Sequence, residues 1–277
     1  MLRALLLAFL IAGVAGRAAE SSATLTAAEI MAKVAVNQDK AQELRKQYVY
    51  EQRVIIATHK TNGKLMRREL AAYSVVPSDA KTSRKMTSLE GRYWHKGKYI
   101  AFTKEEEADR GNVDGVIVRA FREDLGDSDS KDGLDNDLFP LTTDQQKKLR
   151  FELAGERIVA GRQAYRINFA PPDRHDYDWA GEAWIDKQDF QPIHVSTNLS
   201  RRLPVLVRTM LGTDVPGLGF NVEYRRFPGG VWFPVSFGTE FRVRAVFFIN
   251  RDISVSLENK QFERANVDSS IQFAESK

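Results

Sequence analysis

Cysteine is absent from the 277 residues. That excludes a disulfide framework, a thiolate metal site and the cysteine on which a lipid anchor would be built. A chain of this length without disulfides must be held by its core, and it is long enough to bury a large one. Long apolar runs are also scarce. Ala4–Ala15 is the exception, with Arg3 before it and small residues after it. It is too short to span a bilayer as a helix and has the form of a secretory signal peptide. Residues 1–18 are therefore expected to be a signal, and 19–277 one exported, periplasmic domain that is soluble after cleavage. The net charge is +4, and loss of Arg3 and Arg17 with the signal leaves +2. So small an excess does not point to a nucleic-acid partner.

Catalytic motifs are missing as well. There is no G-x-S-x-G elbow, no H-E-x-x-H, no Walker A loop and no G-x-G-x-x-G opening a helix. The four histidines, His59, His95, His175 and His194, are scattered. His175 beside Asp176 and Asp178 has the right residue types for a metal, but adjacent residues rarely point at one ion. Asp186 and Asp189 are turn formers before they are acids or bases. No catalytic residue, no metal and no cofactor is assigned, and a hydrolase is the weakest of the functional alternatives.

What is present is alternation. Thr26-Ala27-Ala28-Glu29 has capping-box spacing, and it opens a helix whose apolar face takes Ile30, Val34, Ala41, Leu44 and Tyr48. Lys33, Gln38, Lys40 and Arg45 are placed away from that face. From Tyr48 the period becomes two. Asn62-Gly63, Lys96-Gly97, Gly161-Arg162, Asp186–Asp189 and Pro228-Gly229-Gly230 each join two extended runs. Strands are expected at Tyr48–Ala57, Leu65–Val76, Lys81–Leu89, Arg92–Trp94, Tyr99–Phe102, Phe151–Ala160, Gln163–Ala170, Gly181–Ile185, Phe190–Val195, Phe220–Phe227, Val231–Phe248 and Asp252–Phe262. Hairpin connections without long intervening helices exclude a parallel α/β sheet. The fold expected is mainly β: an open antiparallel β-barrel or strongly curved sheet of about ten strands, with the N-terminal helix covering its concave side.

Two stretches interrupt the rhythm. An acidic insertion spans about 103–146, with short helical pieces at Val116–Phe121 and Asp144–Leu149. Residues 105–137 carry 12 acidic and 4 basic side chains, whereas 201–251 carry 3 and 8. Aspartates at 127–137 approach a calcium loop, but Lys131 displaces the third carboxylate and no closing glutamate follows. A solvated loop is the expectation. The second stretch, 199–219, sets Leu203, Val207, Met210 and Leu211 on one helical face beside Arg201, Arg202 and Arg208, which makes it a candidate lid.

A sheet curved over one helix encloses more inner surface than that helix fills, which suits acyl chains. Tyr165, Ile167, Trp184, Phe220, Phe237 and Phe241 are the candidate cavity residues. The run Glu182-Ala183-Trp184-Ile185-Asp186-Lys187-x-Asp189-Phe190-x-Pro192, with Gly161-Arg162-x-Ala164-Tyr165-x-Ile167 before it and Tyr48-Val49-Tyr50-Glu51 at the end of the first helix, resembles an exported bacterial branch of the LolA/LolB and RseB-like lipoprotein-localisation superfamily. The resemblance implies an open β-barrel closed by helices around a hydrophobic cavity. It implies a periplasmic carrier for an acyl chain, lipid or lipoprotein. The alternative that it brings is an envelope stress sensor or adaptor that binds a membrane protein.

Overall fold

The computed structural model describes residues 25–77, 82–104, 113–124, 141–173, 179–199, 219–245 and 249–265. Helix α1 (Ala27–Arg45) starts at the expected capping box. The Thr26 hydroxyl accepts from the Glu29 N–H at 3.3 Å, and Glu29 Oε2 accepts from the Thr26 N–H at 2.8 Å. The helix buries Ile30, Met31, Val34 and Ala41, but also Gln38 and Arg45, while Leu44 is exposed. The sequence placed those three the other way round. Their partners explain it: the Gln38 amide donates to Gln191, and Arg45 donates to the Trp232 carbonyl at 3.4 Å. Tyr48 is not on the helix. It begins the first strand.

Eleven strands follow: β1 (Tyr48–His59), β2 (Leu65–Val76), β3 (Ser83–His95), β4 (Lys98–Phe102), β5 (Arg150–Val159), β6 (Arg162–Ala170), β7 (Trp179–Asp186), β8 (Pro192–Leu199), β9 (Gly219–Arg226), β10 (Trp232–Ala245) and β11 (Ile249–Arg264). They form one open antiparallel sheet in the order β4-β3-β2-β1-β11-β10-β9-β8-β7-β6-β5. The mainly β, open and curved fold expected of the sequence is the one observed. β3 is a single strand where two were expected, because Gly91 does not interrupt it. It makes room instead: a Cβ there would lie 2.2 Å from the Phe102 ring and 2.7 Å from the Arg68 carbonyl oxygen.

The strand order has a consequence for the site. β1 and β11 pair inside the sheet, so the two edges, β4 and β5, are neighbours in sequence. The chain between them has to pass from one edge to the other. It carries α2 (Val113–Asp124) and α3 (Thr143–Gln146), close to the two short helical pieces expected. α2 lies on β1 and β2, and α3 packs against α1, which also touches β5. The acidic insertion therefore contributes a cover to the sheet as well as a connection.

Candidate functional site

Strand register fixes which side chains share the covered face. Val54 pairs with Leu257, Ile56 with Val255 and Thr58 with Ile253 across β1 and β11. Phe237 pairs with Leu257 and Phe241 with Ile253 across β10 and β11. Val222 pairs with Phe237, Val195 with Val222 and Thr197 with Phe220. Ile167 pairs with Ala183, which pairs with Val195. Directly opposed residues in an antiparallel sheet point to the same side, so these side chains form one continuous apolar floor from β6 to β1. Phe220 lies with its ring centroid 4.7 Å from Trp179 and 5.5 Å from Phe237. Phe121 of α2 reaches Phe241 at 5.3 Å.

Of the six candidate cavity residues, the structure brings Ile167, Phe220, Phe237 and Phe241 together on this floor, all buried. Tyr165 shares the face but is only half-buried; its ring stacks on Phe190 at 6.4 Å, and Lys187 Nζ lies 4.6 Å from it. Trp184 is on the other side. It is paired with Arg166 and flanked by Ala183 and Ile185, which face inward. The Arg157 guanidinium covers its ring at 3.8 Å and Arg166 at 5.8 Å, and its indole N–H donates to Glu182 at 3.2 Å. His194, paired with Trp184, shares that outer face. The candidate lid with Leu203, Val207, Met210 and Leu211, the aspartate loop at 127–137, His175 with its neighbours and the signal segment lie outside the described residues.

The sequence reading missed a set of buried charges under α2. Glu69 is inward-facing on β2 and sits between two guanidiniums. Arg67 Nε and Nη2 donate to its Oε1 at 2.8 and 2.5 Å, and Arg122 Nη1 of α2 donates to its Oε2 at 2.9 Å. In the first turn of α2, Asp114 accepts from Thr58 Oγ1 at 2.8 Å and from Arg251 Nε and Nη2 at 2.6 and 3.1 Å. Arg67, Glu69, Asp114, Arg122 and Thr58 are all buried. Each end of α2 is thus pinned to the sheet by a paired charge, and Ile117, Val118 and Phe121 lie between the pins. Asp114, Ile117, Val118, Phe121 and Arg122 fall at i, i+3, i+4, i+7 and i+8, a spacing that would have identified this face from sequence.

α1 is seated differently. Asn37 donates to the Asp189 carbonyl at 2.9 Å, and the Gln191 amide donates back to the Asn37 carbonyl at 2.9 Å. Both partners belong to the β7–β8 turn, which Asp186 organises. Asp186 Oδ1 accepts from the N–H groups of Gln188 and Asp189 at 2.9 and 2.6 Å, and Arg162 clamps the carboxylate at 2.5 and 3.0 Å. Burial pushes this carboxyl up, but the bonds from Arg162 and the two amides outweigh it and hold it below its ordinary value. Asp189 Oδ2 accepts from Arg162 at 3.0 Å and Trp232 Nε1 at 3.2 Å and pairs with Arg226 at 3.1 Å. Both aspartates are held within the turn.

Among solved structures, the chain matches the LolA superfamily protein NE2245 from Nitrosomonas europaea at 12% identity, over 88% of this chain and 96% of that one, with a TM-score of 0.36. The chain is similar to LolA-superfamily proteins. A lipoprotein-sorting domain of the outer membrane from Vibrio parahaemolyticus matches at 10% identity, over 87% and 95% of the two chains, with a TM-score of 0.37. MucB in the Pseudomonas aeruginosa MucA/MucB complex matches at 11% identity over 82% and 94%, with a TM-score of 0.22. No protein-family model matches the sequence, and no curated protein matches it with significance.

Proposed function

We propose that this LolA-like chain is a periplasmic binding protein for an acyl chain, carried on a lipid or a lipoprotein, and that the acyl chain takes the place of α2 on the inner face of the sheet. The observation that carries the reading is the apolar floor of Ile167, Phe220, Phe237 and Phe241, met at Phe241 by a helix that charges hold at its two ends. A floor of aromatic and β-branched side chains suits an alkyl chain, with each buried methylene contributing about 0.8 kcal/mol. Buried ion pairs contribute little net stability, because desolvation offsets most of their attraction. A cover held by them can therefore be exchanged for a ligand at lower cost than one held by packing. The apolar segment at the N-terminus fits export and supports a periplasmic ligand.

Displacement of a fluorescent fatty acid by unlabelled fatty acids tests the reading, together with native mass spectrometry after gentle purification. Saturable binding that Phe241→Asp weakens, with the variant still folded, is the expected result. No binding in the displacement assay and no co-purifying lipid would reject it.

A further inference from the structure

The two charged pins of α2 leave different groups on the sheet when the helix is taken away. Glu69 loses Arg122 but keeps the two bonds from Arg67, which belongs to the same strand. Arg251 has no such reserve. Among the described residues Asp114 is its one carboxylate, with Nε donating to Oδ1 at 2.6 Å and Nη2 to Oδ2 at 3.1 Å, while Nη1 donates to the Asn250 carbonyl at 3.0 Å. The buried Thr58 hydroxyl donates to the same carboxylate at 2.8 Å. The sheet therefore holds a receptor for one carboxylate, a planar guanidinium fork with a hydroxyl beside it. Its position in the fold matters as much as its chemistry. Ile253, Val255 and Leu257 follow Arg251 at alternate positions of β11, all three buried, and Phe241 pairs with Ile253. The cation stands at the end of an apolar row roughly 20 Å long. Arg251 keeps 15% of its side chain exposed, so this end of the row is the one nearer solvent.

We propose that the ligand is an unesterified fatty acid whose carboxylate replaces Asp114 on Arg251 and Thr58, with its chain along Phe241, Ile253 and Val255. The inference rests on the acyl reading above and narrows it: α2 is seated by a carboxylate that the ligand reproduces. An alcohol or an ester of the same chain length fills the apolar row equally well. It leaves the Arg251 guanidinium without a counter-charge, and a largely buried charge that has lost its partner is costly. An acyl chain in ester or amide linkage brings no carboxylate to this point. The site thus selects the head of the ligand as well as its chain.

Displacement of the uncharged fluorescent probe N-phenyl-1-naphthylamine by decanoate, 1-decanol and methyl decanoate at neutral pH tests the proposal. Decanoate is expected to compete about tenfold better than either neutral analogue, the size of one charge-assisted bond. Arg251→Gln should abolish that preference, and Thr58→Val should reduce it. Asp114→Asn removes the competing carboxylate and should tighten decanoate severalfold more than 1-decanol, a sign that a merely structural role would not give. It also carries the test if Arg251→Gln folds poorly. Arg242→Gln removes a cation bound to Asp252 on the exposed face of the same strand pair, and should keep the full preference. Equal competition by the acid and its neutral analogues would overturn this inference and leave the acyl reading standing. No competition by any of them would overturn both. A full preference for decanoate in Arg251→Gln, or weaker decanoate binding in Asp114→Asn, would place the carboxylate elsewhere and overturn the proposal as well.

Discussion

The two long helices cover the same sheet by opposite means. α1 brings Ile30, Met31, Val34 and Ala41 to the core and bonds its buried Gln38 amide to Gln191 and its Arg45 guanidinium to the Trp232 carbonyl. α2 brings Ile117, Val118 and Phe121, but fixes both its ends with full charges, Asp114 to Arg251 and Arg122 to Glu69. Apolar burial and neutral amide bonds lose little by being dry. Paired charges regain hydration when they separate, so their net contribution in place is small even though breaking only one partner is expensive. Under the proposed function, the difference separates a fixed wall from a cover that leaves as a unit.

The largest effect is expected at Glu69. Glu69→Ala leaves Arg67 and Arg122 buried without a counter-charge and should cost about 3–5 kcal/mol in chemical denaturation. Replacing all three with apolar residues of similar size, Arg67→Met, Glu69→Leu and Arg122→Met together, should be close to neutral or stabilising. If the triple variant is as unstable as the single one, the contrast drawn between the helices is wrong.

A smaller effect is expected at the turn that seats α1. Asp186→Asn weakens the Arg162 clamp, itself partly exposed, and should cost about 1–2 kcal/mol. The sign with pH follows from the lowered folded value of this carboxyl. Its contribution is fully present above the unfolded value, about 3.9, and is lost as pH falls through the folded one. The stability gap between the natural protein and Asp186→Asn should therefore be constant at neutral pH and close in acid. A gap that persists unchanged at low pH would remove the carboxylate from the account. The smallest effect belongs to the exposed cap: Thr26→Ala should cost about 1 kcal/mol or less by thermal denaturation, from loss of the capping box.

Much of the fold was legible because strand and turn signals are local. Asn62-Gly63 closes the β1–β2 hairpin, with Gly63 at φ 81°, and Asp186–Asp189 closes β7–β8 as expected. What was not legible depends on distant partners. Gln38 and Arg45 look like surface residues until the β7–β8 turn and β10 arrive beside them, and Gln191 is 153 positions from Gln38. Trp184 reads as a cavity aromatic beside Ile185, but alternation within one strand does not tell which parity faces inward. Only the pairing of Ile167 with Ala183 decides that, and it turns Trp184 outward. Asp114 and Arg122 were hidden by the acidic composition around them, although their spacing with Ile117, Val118 and Phe121 was there to be read.

The most direct measurement of the central claim is amide hydrogen exchange with and without a saturating long-chain fatty acid. If an acyl chain takes the place of α2 on the sheet, residues 113–124 should exchange faster when ligand is bound, and inner-face strands β10 and β11 should become more protected. α1 should be unchanged. Ligand binding that leaves α2 as protected as before, or that loosens α1 instead, would contradict the account.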